Sequence, residues 1–386
     1  MNFILISPYF PANFYGFAVS LKAKGVNTLA IGEEPYEALS PELRAGLTEY
    51  YRVASLENYD QVHRACGFFT HKYGRIDRIE SHNEHWLELD ARLRVDFNVP
   101  GLTTADLKRM KYKSAMKSVF LEAGIKAAPG AVVLTAEDAI AFTRKHGFPV
   151  VVKPDNGVGA SGTYKMNCVD ELNAFLSKGL DTVYFIEAFV TGKIITFDGL
   201  TDQDGNIVFS SSLVYGQGIM ETVNENMDIH YYIPRELPAQ IVEAGEKSVM
   251  AFGLKERFFH LEYFLTADNE VYALEINVRP PGGLTVDMFN FANDINIFDE
   301  YANVVTENRF SAEVKRPYNC FYVGRKTAYN YLRSPEEVYH QFPEQIIYHN
   351  TIASIFSAAI GNYGFLVRTP DLQEGFEIAQ IILEKQ

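Results

Sequence analysis

Apolar residues in this chain change their spacing several times, and each change marks a different predicted element. Phe3 to Ser7 opens with four consecutive apolar residues, the pattern of a short buried strand. A turn containing proline leads from it into a helix through Phe17 to Lys24 that ends at Gly25, and Val26 to Ile31 is the next strand. A β-α-β start of this kind predicts a parallel sheet with helices on its faces, because parallel neighbours need a long crossover. It contains no G-x-G-x-x-G, so no dinucleotide fingerprint is read there. Asp77 to Glu80 is a further strand, and Ser81 to Val95 carries His82, Glu84, His85 and Glu88 towards a helix start.

From Leu107 to Ala123 the apolar positions recur at helical spacing, with Met116, Val119, Phe120 and Ala123 on one stripe and Gly124 as the stop. The first domain boundary is placed just before it, near Thr104. Thr135 caps another helix, with Asp138 at its third position and Gly147 and Pro149 beyond its end. After the strand Val150 to Lys153 the period shortens to two. Asp204-Gly205 and Asp268-Asn269 then signal hairpins. The tail from Arg316 mixes short strands and helices.

At 386 residues the chain predicts several packed subdomains, and 47% hydrophobic with 22% charged residues is ordinary globular composition. A net charge of −14 without a local basic block argues against nucleic acid and anionic membranes as partners. Cys66, Cys168 and Cys320 are too widely spaced for a disulfide framework or a metal pair, which points to a reducing, cytoplasmic setting. The start lacks a signal-peptide pattern, and no apolar run reaches the length of a membrane span.

Three stretches carry chemistry. Lys153 to Thr163 runs from a strand end into a loop with three glycines and two hydroxyls. Such a loop brings backbone N–H groups close to phosphate, although the spacing is not that of a Walker loop and an ordinary turn is an equal reading. Arg257 to Phe264 and Val271 to Asn277 read as strands joined by a two-residue turn at Asp268-Asn269. That register sets Glu262 opposite Glu275 and His260 opposite Asn277 on one face. Facing carboxylates repel, and magnesium would offset this with Asn277 and substrate phosphates completing its oxygen shell; a solvated face or a shared proton are the other readings. Arg279, followed by Pro280 and Pro281, leaves the strand beside them, where a guanidinium could hold a phosphoryl group or pair with a glutamate. Val183 to Gly192 is an apolar strand ending in Glu187, suited to bury a flat base.

In order, these pieces resemble the ATP-grasp superfamily, and within it the carboxylate-amine ligases that include L-amino-acid ligases. The resemblance rests on Lys113 heading a helix with Met116 and Gly124, on Val152-Lys153-Pro154 with its glycine-rich loop, on Ile186-Glu187-Ala188-Phe189-Val190, and on Leu274-Glu275-Ile276-Asn277-Val278-Arg279. It covers Ala105 to about Thr306.

The resemblance implies an α/β ATP-grasp fold: an N-terminal parallel α/β domain (1–104), two ATP-grasp subdomains (105–184 and 185–310) and a small C-terminal α/β extension (311–386). It implies an ATP-dependent C–N ligase working through an acyl phosphate. Transfer to a carrier-protein thiol and a non-catalytic nucleotide-binding regulator are the alternatives. Lys113 and Lys153 would hold ATP phosphates, Ser161 and Gly162 would lie in the phosphate lid, and Glu187 with the Val190 backbone would read the adenine. Glu262, Glu275 and Asn277 would bind Mg2+, with Mn2+ as an alternative ion, and Lys153 and Arg279 would act in catalysis. Substrate contacts are assigned to Glu84, His230, His260 and Arg279. A homodimer through the N-terminal unit is compatible with the resemblance. One position departs from it: seven residues after Glu187, where similar enzymes often place a carboxylate for the ribose, stands Ile194, which leaves Lys193 or Thr196 for that role.

Overall fold

The computed structural model describes residues 1–157, 162–216, 218, 222 and 226–386. The N-terminal unit is a parallel sheet in the order Glu49–Arg52, Asn27–Gly32, Asn2–Ile6, Arg78–Glu80. Asn2–Ile6 is buried on both faces, so its run is continuously apolar. Ile4 and Ile6 pack towards the helix Tyr59–Tyr73, while Phe3 and Leu5 join a core shared with Phe17 and Phe298.

A small antiparallel sheet follows, in the order Gly130–Val133, Tyr184–Ala188, Val150–Pro154, Tyr164–Met166. The helices Ala136–His146 and Val169–Leu176 accompany it, the first opened by the expected capping box of Thr135 and Asp138. The division expected at 184/185 falls inside one of these strands, because the sequence marks no turn there. The remaining strands form one ten-stranded sheet, antiparallel except where Val271–Asn277 pairs with Lys126–Ala127. Strands Asn319–Arg325, Ile346–Thr351 and Tyr363–Thr369 of the C-terminal segment continue this sheet beside Ile229–Ile233, so they extend the same layer.

Two local departures matter for the site. The single helix expected over Leu107 to Ala123 is two, Thr104–Lys111 and Lys113–Glu122, broken at Tyr112. Asp155 supplies the missing cap from a distant loop. Its carbonyl accepts Lys113 N–H at 2.7 Å, and its carboxylate takes the Ser114 N–H and hydroxyl, each at 2.8 Å. Met116 and Phe120 are 2% and 1% exposed in the core beneath; each such burial contributes about 1.5–3 kcal/mol and fixes the lysine-bearing face.

The second departure is in the central hairpin. Its turn spans Thr266 to Glu270 with Asn269 at φ 59°, so Leu265 faces Val271, one residue off the expected register. A bulge that inserts Leu274 shifts the ladder back, and Glu262 faces Glu275 with His260 facing Asn277.

Candidate active site

Between the small sheet and the large one lies a cavity of about 430 Å³. The strand Lys193–Thr201 runs beside Phe258–Leu265 and sets Ile194 next to Phe264, Thr196 next to Glu262, and Asp198 next to His260. These pairs share the face that carries Glu275 and Asn277. The cavity floor is therefore apolar near Ile194 and Phe264 and charged near Glu262 and Glu275.

Lys113 and Lys153 line the cavity although they are only 4% and 6% exposed. Lys113 Nζ donates to the Gly157 carbonyl at 2.8 Å and stands 3.3 Å from Glu275. Lys153 pairs with Glu187 at 2.6 Å, and Lys117 closes on the same carboxylate. Burial opposes charge on Glu187, but the two ammonium groups outweigh it and hold the carboxyl down to about 2. Burial, with Lys153 nearby, pulls Lys117 down against the attraction of Glu187. Burial also opposes the charge on Lys153, yet Glu187 and Glu275 carry it above the ordinary lysine value.

A test of this buried triad follows from linkage. The Glu187 carboxylate contributes stability above its unfolded value of about 4.5 and loses it as pH falls through about 2. Glu187→Gln is expected to destabilise the protein at neutral pH by about 3 kcal/mol, the scale of a broken buried pair. The gap should narrow as pH drops through that window. Calorimetry of both proteins measures it, and a gap independent of pH would contradict the assignment.

At the other end, burial and the facing Glu262 and Glu84 raise the Glu275 carboxyl above its usual range, against the pull of Lys113. Burial likewise opposes charge on Glu262, but His260, Arg279 and Lys113 bring it below the ordinary value. His260 bridges Asp198 at 2.5 Å and Glu262 at 3.0 Å. Despite burial those carboxylates raise it to about 9, so it is protonated at neutral pH. Arg279 leaves the strand beside this pair and binds Glu84 at 3.1 Å. With its amide nitrogen turned towards Glu84, Asn277 donates to both carboxylate oxygens, at 3.2 and 2.9 Å.

Among the described residues no three His, Cys, Asp or Glu side chains gather in a metal-binding group. Two carboxylates and an amide oxygen remain as hard donors facing a cavity. This is the partial set that magnesium takes when nucleotide oxygens and water complete its shell.

Of the residues singled out in the sequence, Lys113, Lys153, Glu187, Val190, Glu262, Glu275, Asn277 and Arg279 line one cavity; Glu84 and His260 adjoin it through Arg279 and Glu262. Others stand elsewhere. His230 shares its strand face with Tyr232 and approaches Phe376, on the side of the C-terminal helix Leu372–Leu383, so it does not line the cavity. Gly162 packs near Pro154 outside the lining, and Ser161 lies outside the described residues. Thr196 is fully buried on Asp198 and is not free to meet a ribose, whereas Lys193 lines the cavity. The sequence reading missed Lys117 and Asp198. Lys117 had a signal: with Lys113 it occupies the buried stripe of Met116 and Phe120, where a lysine needs a partner.

Comparison with known proteins agrees with this architecture. Residues 146–287 match the family model of the ATP-grasp domain. Among curated relatives, the L-arginine-specific L-amino acid ligase of Bacillus subtilis is 27% identical over 245 residues, 60% of this chain and 58% of that protein. The carbamoyl phosphate synthase large chain of Haemophilus ducreyi is 22% identical over 68% of this chain and 24% of its own length. The match thus spans little more than half of the first relative and about a quarter of the second. Among solved structures, an L-amino acid ligase from Bacillus licheniformis superimposes with a TM-score of 0.77 at 17% identity, covering 98% of this chain and 96% of that one. N5-carboxyaminoimidazole synthetase from Staphylococcus aureus gives 0.73 at 17% identity, covering 99% and 97%. Both share the fold. Among the described residues no helix is long and apolar enough to cross a membrane.

Proposed function

We propose that the protein is an ATP-dependent carboxylate-amine ligase that takes an α-amino acid as a substrate, activates a carboxylate as an acyl phosphate, and releases ADP and phosphate. The observation that carries this reading is that two buried lysines, the facing pair Glu262 and Glu275, and Arg279 all open into one cavity. ATP is needed because a carboxylate is a poor electrophile: an amine attacking it would have to expel oxide. Lys113 and Lys153 would hold phosphate oxygens, and the backbone at Ala188 to Val190 would read the base. Glu187 serves this end by fixing Lys153, since its carboxylate is occupied by two lysines. Glu262, Glu275 and Asn277 would hold Mg2+, or Mn2+ through the same oxygen donors. Bound there, the ion would neutralise charge on the transferring phosphoryl group.

The Glu84–Arg279 pair supports an amino acid as substrate. A zwitterion inserted between them places its carboxylate on Arg279 and its ammonium on Glu84, replacing one ion pair by two without changing net charge. Arg279 would then face the oxyanion that develops when the amine attacks the acyl phosphate. That the Bacillus subtilis relative is named for an amino acid ligase activity favours the same class. Three unpaired cysteines favour a reducing, cytoplasmic setting.

The test is phosphate release from Mg-ATP with amino acids supplied singly and in pairs. Release that requires two amino acids is expected. Nucleotide binding without any carboxylate-dependent release would overturn the ligase reading.

A further inference from the structure

Arg279 sits in a closed ring of interactions that joins the N-terminal unit to the end of the central hairpin. Arg257 lies immediately before the strand Phe258–Leu265, is 5% exposed, and donates Nη1 to the Val278 carbonyl at 3.0 Å. Val278 is the residue before Arg279. The other arm of Arg257 binds Glu80, and Arg94 Nη2 meets the same Glu80 oxygen at 2.8 Å. Arg94 is anchored in turn to the Ile79 carbonyl at 3.0 and 2.6 Å and to the Leu102 carbonyl at 3.0 Å. From Glu80 the chain passes through Ser81, whose N–H and hydroxyl bind Asp90 at 2.9 and 2.7 Å, and reaches Glu84. Glu84 returns to Arg279 at 3.1 Å and completes the circuit.

Within the circuit the charges balance, Glu80, Glu84 and Asp90 against Arg257, Arg279 and Arg94. Burial would protonate Glu80, but Arg257 and Arg94 hold its carboxyl below the ordinary range, so it stays ionised. Buried ion pairs are a poor means of gaining stability, because desolvation cancels most of their attraction. What this one offers is a fixed position. The Val278 carbonyl is tied to a guanidinium whose other arm is locked on the N-terminal unit.

We propose that Arg257 is a positioning residue for Arg279: by gripping Val278 and Glu80 together it sets where the Arg279 guanidinium stands relative to Glu84 and the Glu262–Glu275 pair. This rests on the role given to Arg279 under the proposed function. It also depends on the planar fork of arginine. A lysine would keep the charge facing Glu80 but has no second rigid arm for the carbonyl.

Arg257→Lys separates positioning from bulk stability. The expected result is a folded variant whose kcat falls about 10- to 100-fold, the scale of an ångström-size misplacement. Its KM for ATP and its MgADP affinity should stay within about threefold of the parent, since neither depends on Arg279. Unchanged kcat would overturn the proposal, as would parallel losses of kcat and MgADP affinity, which indicate a general distortion. If Arg257→Lys does not fold, Glu80→Gln, which keeps an acceptor for the second arm but removes its charge, carries the same measurements. A crystal structure of the folded variant should show residues 278–280 displaced and the Glu84–Arg279 contact lengthened; an unmoved segment overturns the proposal. Should the parent release no phosphate with any carboxylate, the ligase reading has failed, and the crystallographic comparison alone decides whether Arg257 positions Arg279.

Discussion

Replacing Arg279 by alanine is expected to lower carboxylate-dependent phosphate release by about 10²–10³-fold, the cost of removing one well-placed donor from a developing oxyanion. MgADP affinity should stay within about threefold, because Arg279 binds Glu84 and the base is proposed to lie instead against the backbone near Val190, beside Ile194 and Phe264. The substitution also leaves Glu84 buried with the Asn277 amide but without its guanidinium partner, and a carboxylate unpaired there destabilises the fold. The double variant Glu84→Gln/Arg279→Ala separates the two effects. Its melting temperature should recover and its turnover should not. Near-normal turnover in a folded Arg279→Ala protein would remove Arg279 from the chemistry.

Glu275→Gln should act in opposite directions on activity and stability. Loss of one of the carboxylates proposed to hold the metal is expected to cut turnover by about 10²-fold, at the upper end of the loss from a disturbed metal shell. Burial and the facing Glu262 raise the Glu275 carboxyl, so its ionised form at neutral pH costs stability; a neutral amide of the same shape removes that cost. The melting temperature without nucleotide is therefore expected not to fall, even though Lys113 loses a partner at 3.3 Å. Sites built for function often hold such destabilising groups. A variant that melts well below the parent while retaining turnover would place Glu275 among the structural residues.

The hairpin that carries these glutamates shows how far local pattern reaches. Alternation and the Asp268-Asn269 signal led to the facing of Glu262 and Glu275 and of His260 and Asn277, which the structure contains. The route differs. The turn takes more residues than the two expected, and the bulge at Leu274 cancels the shift. Turn type depends on backbone conformations that several sequences share, whereas the demand that charged residues share one face is set by the sheet as a whole.

The helix break at Tyr112 was invisible for a related reason. The apolar period continues through it, and the cap comes from Asp155, distant in sequence, so no local signal reports it. His230 illustrates the opposite case: the sequence assigns it to the substrate, but strand alternation places it with Tyr232 on the face that meets Phe376 of the C-terminal helix.

What the sequence by itself determined is the set of elements and the chemical character of each: a parallel β-α-β start, a capped helix at Thr135, two lysines on buried segments, and paired acids on a hairpin. These follow from period and residue type, which act over a few neighbours. Only the tertiary structure decided which charges meet, because the partners lie far apart along the chain. Glu187 is neutralised by Lys117 and Lys153, Glu84 finds Arg279, and Arg257 links Glu80 to Val278. A buried charge must find an opposite one wherever the fold supplies it, and the fold is settled by the packing of whole sheets.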